Sequence, residues 1–149
     1  MRLALFEPDI PPNAGTLIRL GACLGAPVDI IEPCGFAWSD KTLRRAGLDY
    51  FTIAEVTRHL SWPDFVEARA AGSRIILLTT KTNLAYTDFA FRPDDILLVG
   101  RESKGAPAEV HEGVDARITV PMVEQARSLN VAVAAAMVLG EALRQVRAT

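Results

Sequence analysis

Short runs of apolar residues alternate with segments of helical periodicity along this sequence, and that alternation constrains the fold more than any other feature. Strands that are apolar at nearly every position are buried on both faces, as in parallel sheets that carry helices on each side. The sequence therefore predicts an α/β fold in which a mostly parallel sheet is flanked by helices. The predicted strands are Arg2–Phe6, Val28–Ile31, Tyr50–Ile53, Arg74–Thr79, Asp95–Val99 and Arg117–Val120.

Residues that commonly begin and end helices mark the connections between these strands. Asn13 is the predicted N-cap of a helix over Thr16–Leu24, which Gly25 would end. Ser128 is predicted to begin the last helix, which runs to Arg147. Two more helices are predicted between these, one capped at Ser39 or Asp40 and running through Arg45 to Gly47, the other over Trp62–Ala70 with Pro63 in its first turn.

The last helix is apolar on nearly every face over Val131–Leu139. A helix that packs on one side only shows a polar stripe on the other. This segment is therefore expected to be covered all round. In so small a chain, a second copy of the subunit is the expected second cover.

Length and composition bound the class of protein. A chain of 149 residues, half of them hydrophobic, predicts one globular domain over 1–149. A net charge of −2 argues against a protein that coats nucleic acid without specificity, although it leaves local basic patches open. The longest apolar stretch is too short for a membrane span, and no signal peptide is visible, so a cytoplasmic protein is expected.

The residue types that most often carry metal or covalent chemistry are sparse. Cys23 and Cys34 have no metal-ligand spacing, so no metal site is predicted. A disulfide between them is an open alternative, and two reduced, partly buried thiols are favoured. His59 and His111 stand in no recognisable triad and are predicted to be surface residues.

Three polar loops follow predicted strands, over Glu7–Thr16, Gly100–Pro107 and Val120–Asn130. Parallel α/β sheets bind ligands at the carboxyl ends of their strands, so a site is expected where these loops meet. The glycines of the second loop permit a tight turn and close backbone approach. Ala106 stands where a P-loop needs Lys, which argues against triphosphate binding. Taken singly, each loop is also what a capped helix or a strand-to-helix turn would show.

Together the loops resemble those of the SPOUT methyltransferases and, more closely, the TrmL/YibK-like branch of tRNA (cytidine/uridine-34)-2'-O-methyltransferases. The matching segments follow the family's order along nearly the whole chain. They are Glu7–Gly15 with Arg19, Ile31–Trp38, Lys41–Tyr50, Leu78–Lys81, Gly100–Gly105, Ile118–Val123 and Arg127–Asn130.

This resemblance implies a SPOUT fold with a C-terminal trefoil knot, a homodimer packed through the terminal helices, and S-adenosyl-L-methionine as cofactor. It implies 2'-O-methylation of the wobble nucleotide, cytidine or uridine 34, in tRNA. It assigns cofactor binding to Leu78, Gly100, Val120 and Ser128. It assigns the reaction centre to Asn13, Arg19, Glu102 and Asn130.

The sequence departs from the pattern of its relatives at three places. Gly100–Ser103 reads Gly-Arg-Glu-Ser where relatives often have Gly-Pro-Glu-Thr. Val131–Val133 stands where relatives often have Leu-Ser-Asn, and Gly140 where they often carry Tyr.

Arg19 is interpreted as an electrostatic clamp, since a guanidinium stays protonated and is a poor general base. It would hold the phosphate beside the reacting ribose and stabilise the forming alkoxide. The densest basic cluster, Lys41, Arg44 and Arg45, is the predicted RNA contact. A solvated helix face is the alternative interpretation of that cluster.

Three other functions stay open on the sequence alone. The same loops would serve a 2'-O-methyltransferase of another RNA, such as ribosomal RNA. A non-catalytic RNA- or nucleotide-binding protein on this fold is the second alternative. A flavodoxin-like regulatory module is the third alternative. However, the loops contain neither a phosphate-binding pattern nor a recognisable phosphoryl-acceptor residue.

Overall fold

The computed structural model describes residues 1–39, 41 and 49–147, and a parallel sheet forms its centre. Its six described strands run in the order β3-β2-β1-β5-β4-β6, and every described neighbour pair is parallel. This confirms the predicted sheet. The strands are β1 (Arg2–Phe6), β2 (Val28–Ile31), β3 (Val56–His59), β4 (Ile75–Leu78), β5 (Ile96–Val99) and β6 (Ala116–Ile118).

Helices cover both faces of the sheet, as predicted. They are α1 (Pro11–Leu24), α2 (Trp62–Ala68), α3 (Ala108–Gly113) and α4 (Val131–Arg147), with 3-10 helices at Asp49–Thr52 and Tyr86–Asp88. The helix predicted through Arg45 falls outside the described residues. Within the described part of the chain, no helix has the length and apolar character needed to cross a bilayer.

Side chains of β1 alternate between two hydrophobic cores. Leu3 and Leu5 pack on the face covered by α1 and α4. Ala4 and Phe6 pack on the face covered by α2 and α3. Because successive side chains of a strand point to opposite faces, a strand buried on both must be apolar throughout, which explains the continuous apolar runs.

The strand predicted at Tyr50–Ile53 is wrong. Most of that segment is a 3-10 helix, and Ile53 is 67% exposed. The strand lies further on, at β3, which pairs with β2 at the edge of the sheet and has two exposed side chains among its four residues. An edge strand of this kind needs no apolar run, so hydrophobicity did not mark it.

Two of the predicted N-caps, Asn13 and Ser128, are also wrong. Helix α1 begins earlier, at Pro11, so Asn13 lies inside its first turn and Ile10 holds the N-cap position. A proline suits the start of a helix because its missing N–H would lack an intrahelical partner there in any case. Gly25 ends α1 in the left-handed conformation, with φ of 70°, as predicted.

At α4, the side chain of Asn130 performs the capping predicted for Ser128. Its Oδ1 accepts hydrogen bonds from the backbone amides of Ala132 and Val133, at 2.9 and 3.2 Å. Both asparagine and serine are good caps, so composition alone did not decide between them.

One face of α4 is open in the described chain. Ala135, Val138 and Leu139 are fully buried against the sheet, whereas Val133 and Met137 are 51% and 41% exposed. The expected all-round cover is therefore absent from the described part of a single subunit. The expectation of a second subunit there remains a prediction.

Ion pairs occupy the amino-terminal end of the sheet. Asp29, a buried residue of β2, accepts a hydrogen bond from Arg2 Nε at 2.8 Å and lies 2.9 Å from His59 Nε2. Asp95 is fully buried and is bonded by Nε and an η-nitrogen of Arg74. The surface position predicted for His59 is wrong, because its side chain is only 10% exposed beside this carboxylate.

Both cysteines are free thiols, as favoured from the sequence. Cys34 is half-buried, whereas Cys23 is exposed rather than partly buried. Burial raises the pKa of the Cys34 thiol to about 11. Since the thiolate is the reactive form, Cys34 is poorly nucleophilic at neutral pH.

Candidate active site

A cavity of about 510 Å³ opens at the carboxyl ends of β4, β5 and β6. This volume lies within the range of small-molecule sites. The three polar loops that follow predicted strands meet here, as expected. Seven of the eight residues assigned to cofactor or reaction line the cavity: Asn13, Leu78, Gly100, Glu102, Val120, Ser128 and Asn130.

The cavity wall combines apolar and polar surfaces. Leu78 and Val120 stand at the ends of β4 and β6, where their side chains contribute to the core beneath the cavity. Thr79 and Thr119 bring hydroxyl groups to the same wall. Such a lining suits a ligand that carries both an apolar ring and hydrogen-bonding groups.

The loop after β5 turns tightly against the cavity. The backbone amide of Gly105 donates to the carbonyl oxygen of Arg101 at 2.9 Å, and Gly105 has φ of 66°, which favours glycine. A Cβ on Gly100 would lie 2.7 Å from the backbone nitrogen of Ala106. The loop therefore brings bare backbone to the cavity, and a side chain at Gly100 would force it apart.

Asn13 and Asn130 join the first and last helices at the cavity rim. Asn130 Nδ2 donates to Asn13 Oδ1 at 3.0 Å, although 117 residues separate them. The same Asn130 side chain caps α4 through its Oδ1. Capping therefore fixes the orientation of an amide that also faces the cavity.

Glu102 lies against Asp9 from the loop after β1. The backbone amide of Asp9 donates to Glu102 Oε2 at 3.0 Å, and that of Glu102 donates to Asp9 Oδ1 at 3.2 Å. Burial, and next the hydrogen bond with Asp9, raise the pKa of Glu102. The pKa of Asp9 is lowered, chiefly by its side-chain hydrogen bond with Glu102.

Arg19 lies apart from the other assigned residues. It is exposed on α1, and its guanidinium carbon is 4.6 Å from the centroid of the Tyr50 ring. Asn13 and Arg19 share a helix but differ by six positions, so they project from different sides of it. The structure brings Asn13 into the described cavity wall and leaves Arg19 outside it.

His111 of α3 lines the cavity, which contradicts its predicted place on the surface. Burial lowers the pKa of His111, with smaller contributions from Lys81 and Arg117. The imidazole therefore favours its neutral form beside the cavity. Sequence reasoning missed it because the helix that carries it is only six residues long and shows little periodicity.

The predicted RNA contact is described only in part. Lys41 is exposed, while Arg44 and Arg45 lie outside the described residues. Two other arginines are held in ion pairs, Arg58 with Glu32 and Arg101 with Glu7.

The sequence matches the model of the SpoU rRNA Methylase family over residues 1–140. A tRNA (cytidine(34)-2'-O)-methyltransferase of Beijerinckia indica is 58% identical, over 98% of this chain and 92% of that protein. A solved structure concerned with the 2-OH methylation of C/U34 on tRNA has a TM-score of 0.93 and 38% identity, over 99% of this chain and 97% of the other. The SpoU methyltransferase AviRb of Streptomyces viridochromogenes, solved with the cofactor AdoMet, has a TM-score of 0.85 and 29% identity, over 97% of this chain and 60% of the other.

Proposed function

The chain belongs to the SpoU rRNA Methylase family, and we propose that it transfers a methyl group from S-adenosyl-L-methionine to the ribose 2'-hydroxyl of nucleotide 34 in tRNA. The observation that carries this proposal is the cavity that collects residues of both assigned sets. A cavity lined only by the cofactor set would have supported nucleotide binding without catalysis.

The cavity fits S-adenosyl-L-methionine by its chemistry. The bare backbone at Gly100, the ends of β4 and β6 at Leu78 and Val120, and Ser128 of the same lining would hold the cofactor. The apolar wall suits the adenine ring, and exposed backbone amides suit the polar amino-acid end. When bound, the cofactor supplies a methyl group already activated on a sulfonium.

The protein's own contribution is orientation and charge. Asn13 and Asn130, bonded to each other at the rim, would orient the ribose by hydrogen bonds from their amides. Glu102 would stabilise the wall of the cavity beside Asn13 and Asn130. Arg19, exposed beyond the rim, would bind the neighbouring phosphate and stabilise negative charge that develops on the 2'-oxygen.

We propose that Lys41, Arg44 and Arg45 contact the RNA backbone. Lys41 is exposed, as a side chain that binds phosphate must be. Removing a cation that neutralises a phosphate makes the salt dependence of RNA binding less steep. Replacing all three residues with alanine is expected to lower that slope by about two. An unchanged affinity and slope would contradict the proposed RNA interface.

The active form is proposed to be a homodimer through α4. Val133 and Met137 leave an apolar strip on the open face of this helix, and a Cβ on Gly140 would meet open space. Met137→Glu is expected to convert a dimer into a monomer in analytical ultracentrifugation. A wild-type protein with the mass of one subunit would contradict the dimer.

The chain is proposed to form one SPOUT domain with a C-terminal trefoil knot and to act in the cytoplasm, where it would meet tRNA. Contacts of the segment between β4 and β5 support the knot. Ala85 bridges Thr119 just after β6, and Phe91 donates its amide to Gln145 near the end of α4. A crystal structure in which the chain traces an unknotted path would contradict it.

The function is tested with purified protein, labelled cofactor and tRNA whose nucleotide 34 is cytidine or uridine. Label is expected on the ribose of nucleotide 34. The matched control is the same tRNA with a 2'-deoxyribose at that position alone, which is expected to take up no label. Transfer to the deoxy control, or to ribosomal RNA in preference to tRNA, would overturn the proposal.

A further inference from the structure

Three strand-end loops are fastened together at a point beside the cavity. Strands β1 and β5 are neighbours in the sheet, and the chain order reverses between them. Asp9 follows β1 and Glu102 follows β5, so 93 residues separate two groups that the sheet places side by side. Crevices at such reversals are the usual ligand sites of parallel sheets.

Asp9 makes the contacts that hold the loop after β5. Its backbone amide and its carboxylate bond Glu102 in both directions, at 3.0 and 3.2 Å. The hydroxyl of Ser103 donates to the second carboxylate oxygen of Asp9. One side chain therefore bonds two consecutive residues of the loop that forms a wall of the cavity.

The loop after β2 supports Asp9 from its other side. The amide of Gly35 donates to the carbonyl oxygen of Pro8 at 2.9 Å. A Cβ on Gly35 would lie 2.5 Å from the Cβ of Asp9, so the two loops touch without any space for a side chain. Asp9 therefore contacts both the loop after β2 and the loop after β5.

We propose that Asp9 is a positioning residue of the cofactor site, which holds the Gly100–Gly105 loop closed against the cavity through Glu102 and Ser103. Gly100, Glu102 and Gly105 line the cavity, while Asp9 supports them from behind. This inference rests on the proposed function, because it assigns that cavity to the cofactor.

The test is cofactor affinity, measured by isothermal titration calorimetry with S-adenosyl-L-methionine. Asp9→Ala is expected to raise Kd about tenfold, because it removes hydrogen bonds to both Glu102 and Ser103. The KM for tRNA is expected to stay unchanged. Asp94→Ala, an exposed aspartate before β5, is the matched control and is expected to bind as the wild type does.

Asp9→Asn separates positioning from general damage. Its side-chain oxygen still accepts from the backbone amide of Glu102, so the hydrogen bond that holds Glu102 is kept. The Kd for the cofactor is expected to lie close to the wild-type value and well below that of Asp9→Ala. If Asp9→Ala fails to fold, Ser103→Ala, with an expected loss of about threefold, decides the matter.

Equal affinity in wild type, Asp9→Ala and Ser103→Ala would overturn the inference, as would an Asp9→Asn variant that binds the cofactor as weakly as Asp9→Ala. Methyl transfer by the wild type is measured alongside. A wild type that binds the cofactor but never methylates tRNA refutes the proposed function. An active wild type whose Asp9 variants bind the cofactor with unchanged affinity refutes only the positioning by Asp9.

Discussion

The two ends of the parallel sheet hold their carboxyl groups in different ways. At the amino end, Asp95 is fully buried and receives two hydrogen bonds from Arg74, whose pKa is raised by this pairing. At the carboxyl end, the partly buried carboxyl of Glu102 accepts a hydrogen bond from the backbone amide of Asp9, at 3.0 Å. An arginine supplies a full positive charge to a carboxylate at every ordinary pH, whereas a backbone amide supplies only a hydrogen bond.

The difference separates stability from function. The pair at the amino end joins β5 to the start of β4 and borders no part of the described large cavity. The groups at the carboxyl end bond to one another around a space that a ligand can enter. Substitutions at the amino end should therefore act on folding, and those at the carboxyl end on binding and transfer.

Arg19→Ala carries the largest expected effect and tests the functional end. Removing one group that stabilises charge in a transition state typically lowers a rate by about 100-fold or more. Single-turnover methyl transfer at saturating cofactor and tRNA should fall by that factor. Because Arg19 is exposed, the free energy of unfolding should hardly change. Arg19→Lys keeps the charge and should recover part of the rate. A wild-type rate in Arg19→Ala would show that the clamp is wrong.

Asp95→Ala tests the structural end. The substitution leaves Arg74 without its partner and Arg92 without an acceptor for its amide. Breaking such a buried pair is expected to lower the free energy of unfolding by about 3 kcal/mol, measured by urea denaturation. Cofactor affinity of the folded fraction should stay the same. The neighbouring exposed Asp94→Ala should cost less than about 0.5 kcal/mol. If Asp95→Ala and Asp94→Ala lowered the free energy of unfolding equally, the stabilising function proposed for the amino end would be wrong.

Asn130→Ala should affect both properties, because this side chain caps α4 and bonds Asn13 at the cavity. Loss of the cap is expected to cost about 1 kcal/mol in thermal or urea unfolding. Ser128→Ala is the matched variant and should leave stability unchanged, since Ser128 is not the cap. If Asn130→Ala and Ser128→Ala destabilised the protein equally, Ser128 would have to contribute to capping as well.

The smallest effect on folding or activity is expected from the two thiols. Cys34 lies at the carboxyl end, and its pKa of about 11 leaves it almost wholly protonated at neutral pH. Cys23 is exposed near the end of α1. Iodoacetamide followed by mass spectrometry should therefore modify Cys23 first, and modification of Cys34 should accelerate as the pH rises toward 11. Faster alkylation of Cys34 at neutral pH would contradict its burial.

Sequence reasoning succeeded where one property decides the structure. Strands such as Ile96–Val99 are buried on both faces, so their hydrophobicity was sufficient. The edge strand β3 pairs with one strand only and carries exposed side chains. A search for apolar runs therefore missed it. The cap at Asn130 was missed because serine and asparagine have nearly equal preferences for the N-cap position.

The site was predictable to the extent that it follows strand ends. The alternation of apolar strands and helices predicted where the loops lie. The functions of residues such as Gly100 and Asn130 were predicted from the family resemblance. The contact of Asp9 with Glu102 could not be predicted, since neither pattern nor motif relates residues 93 apart. It depends on the sheet order, which places β1 beside β5.

The cavity takes its walls from residues as distant in the chain as Ile10 and Ala134. A polypeptide that stops after β6 already has every described strand of the sheet, yet it lacks the wall that Asn130 and the start of α4 provide. Binding of the methyl donor therefore requires the chain to extend into α4. Chromatography on an immobilised cofactor analogue should retain chains that include α4 and let chains that stop after β6 pass.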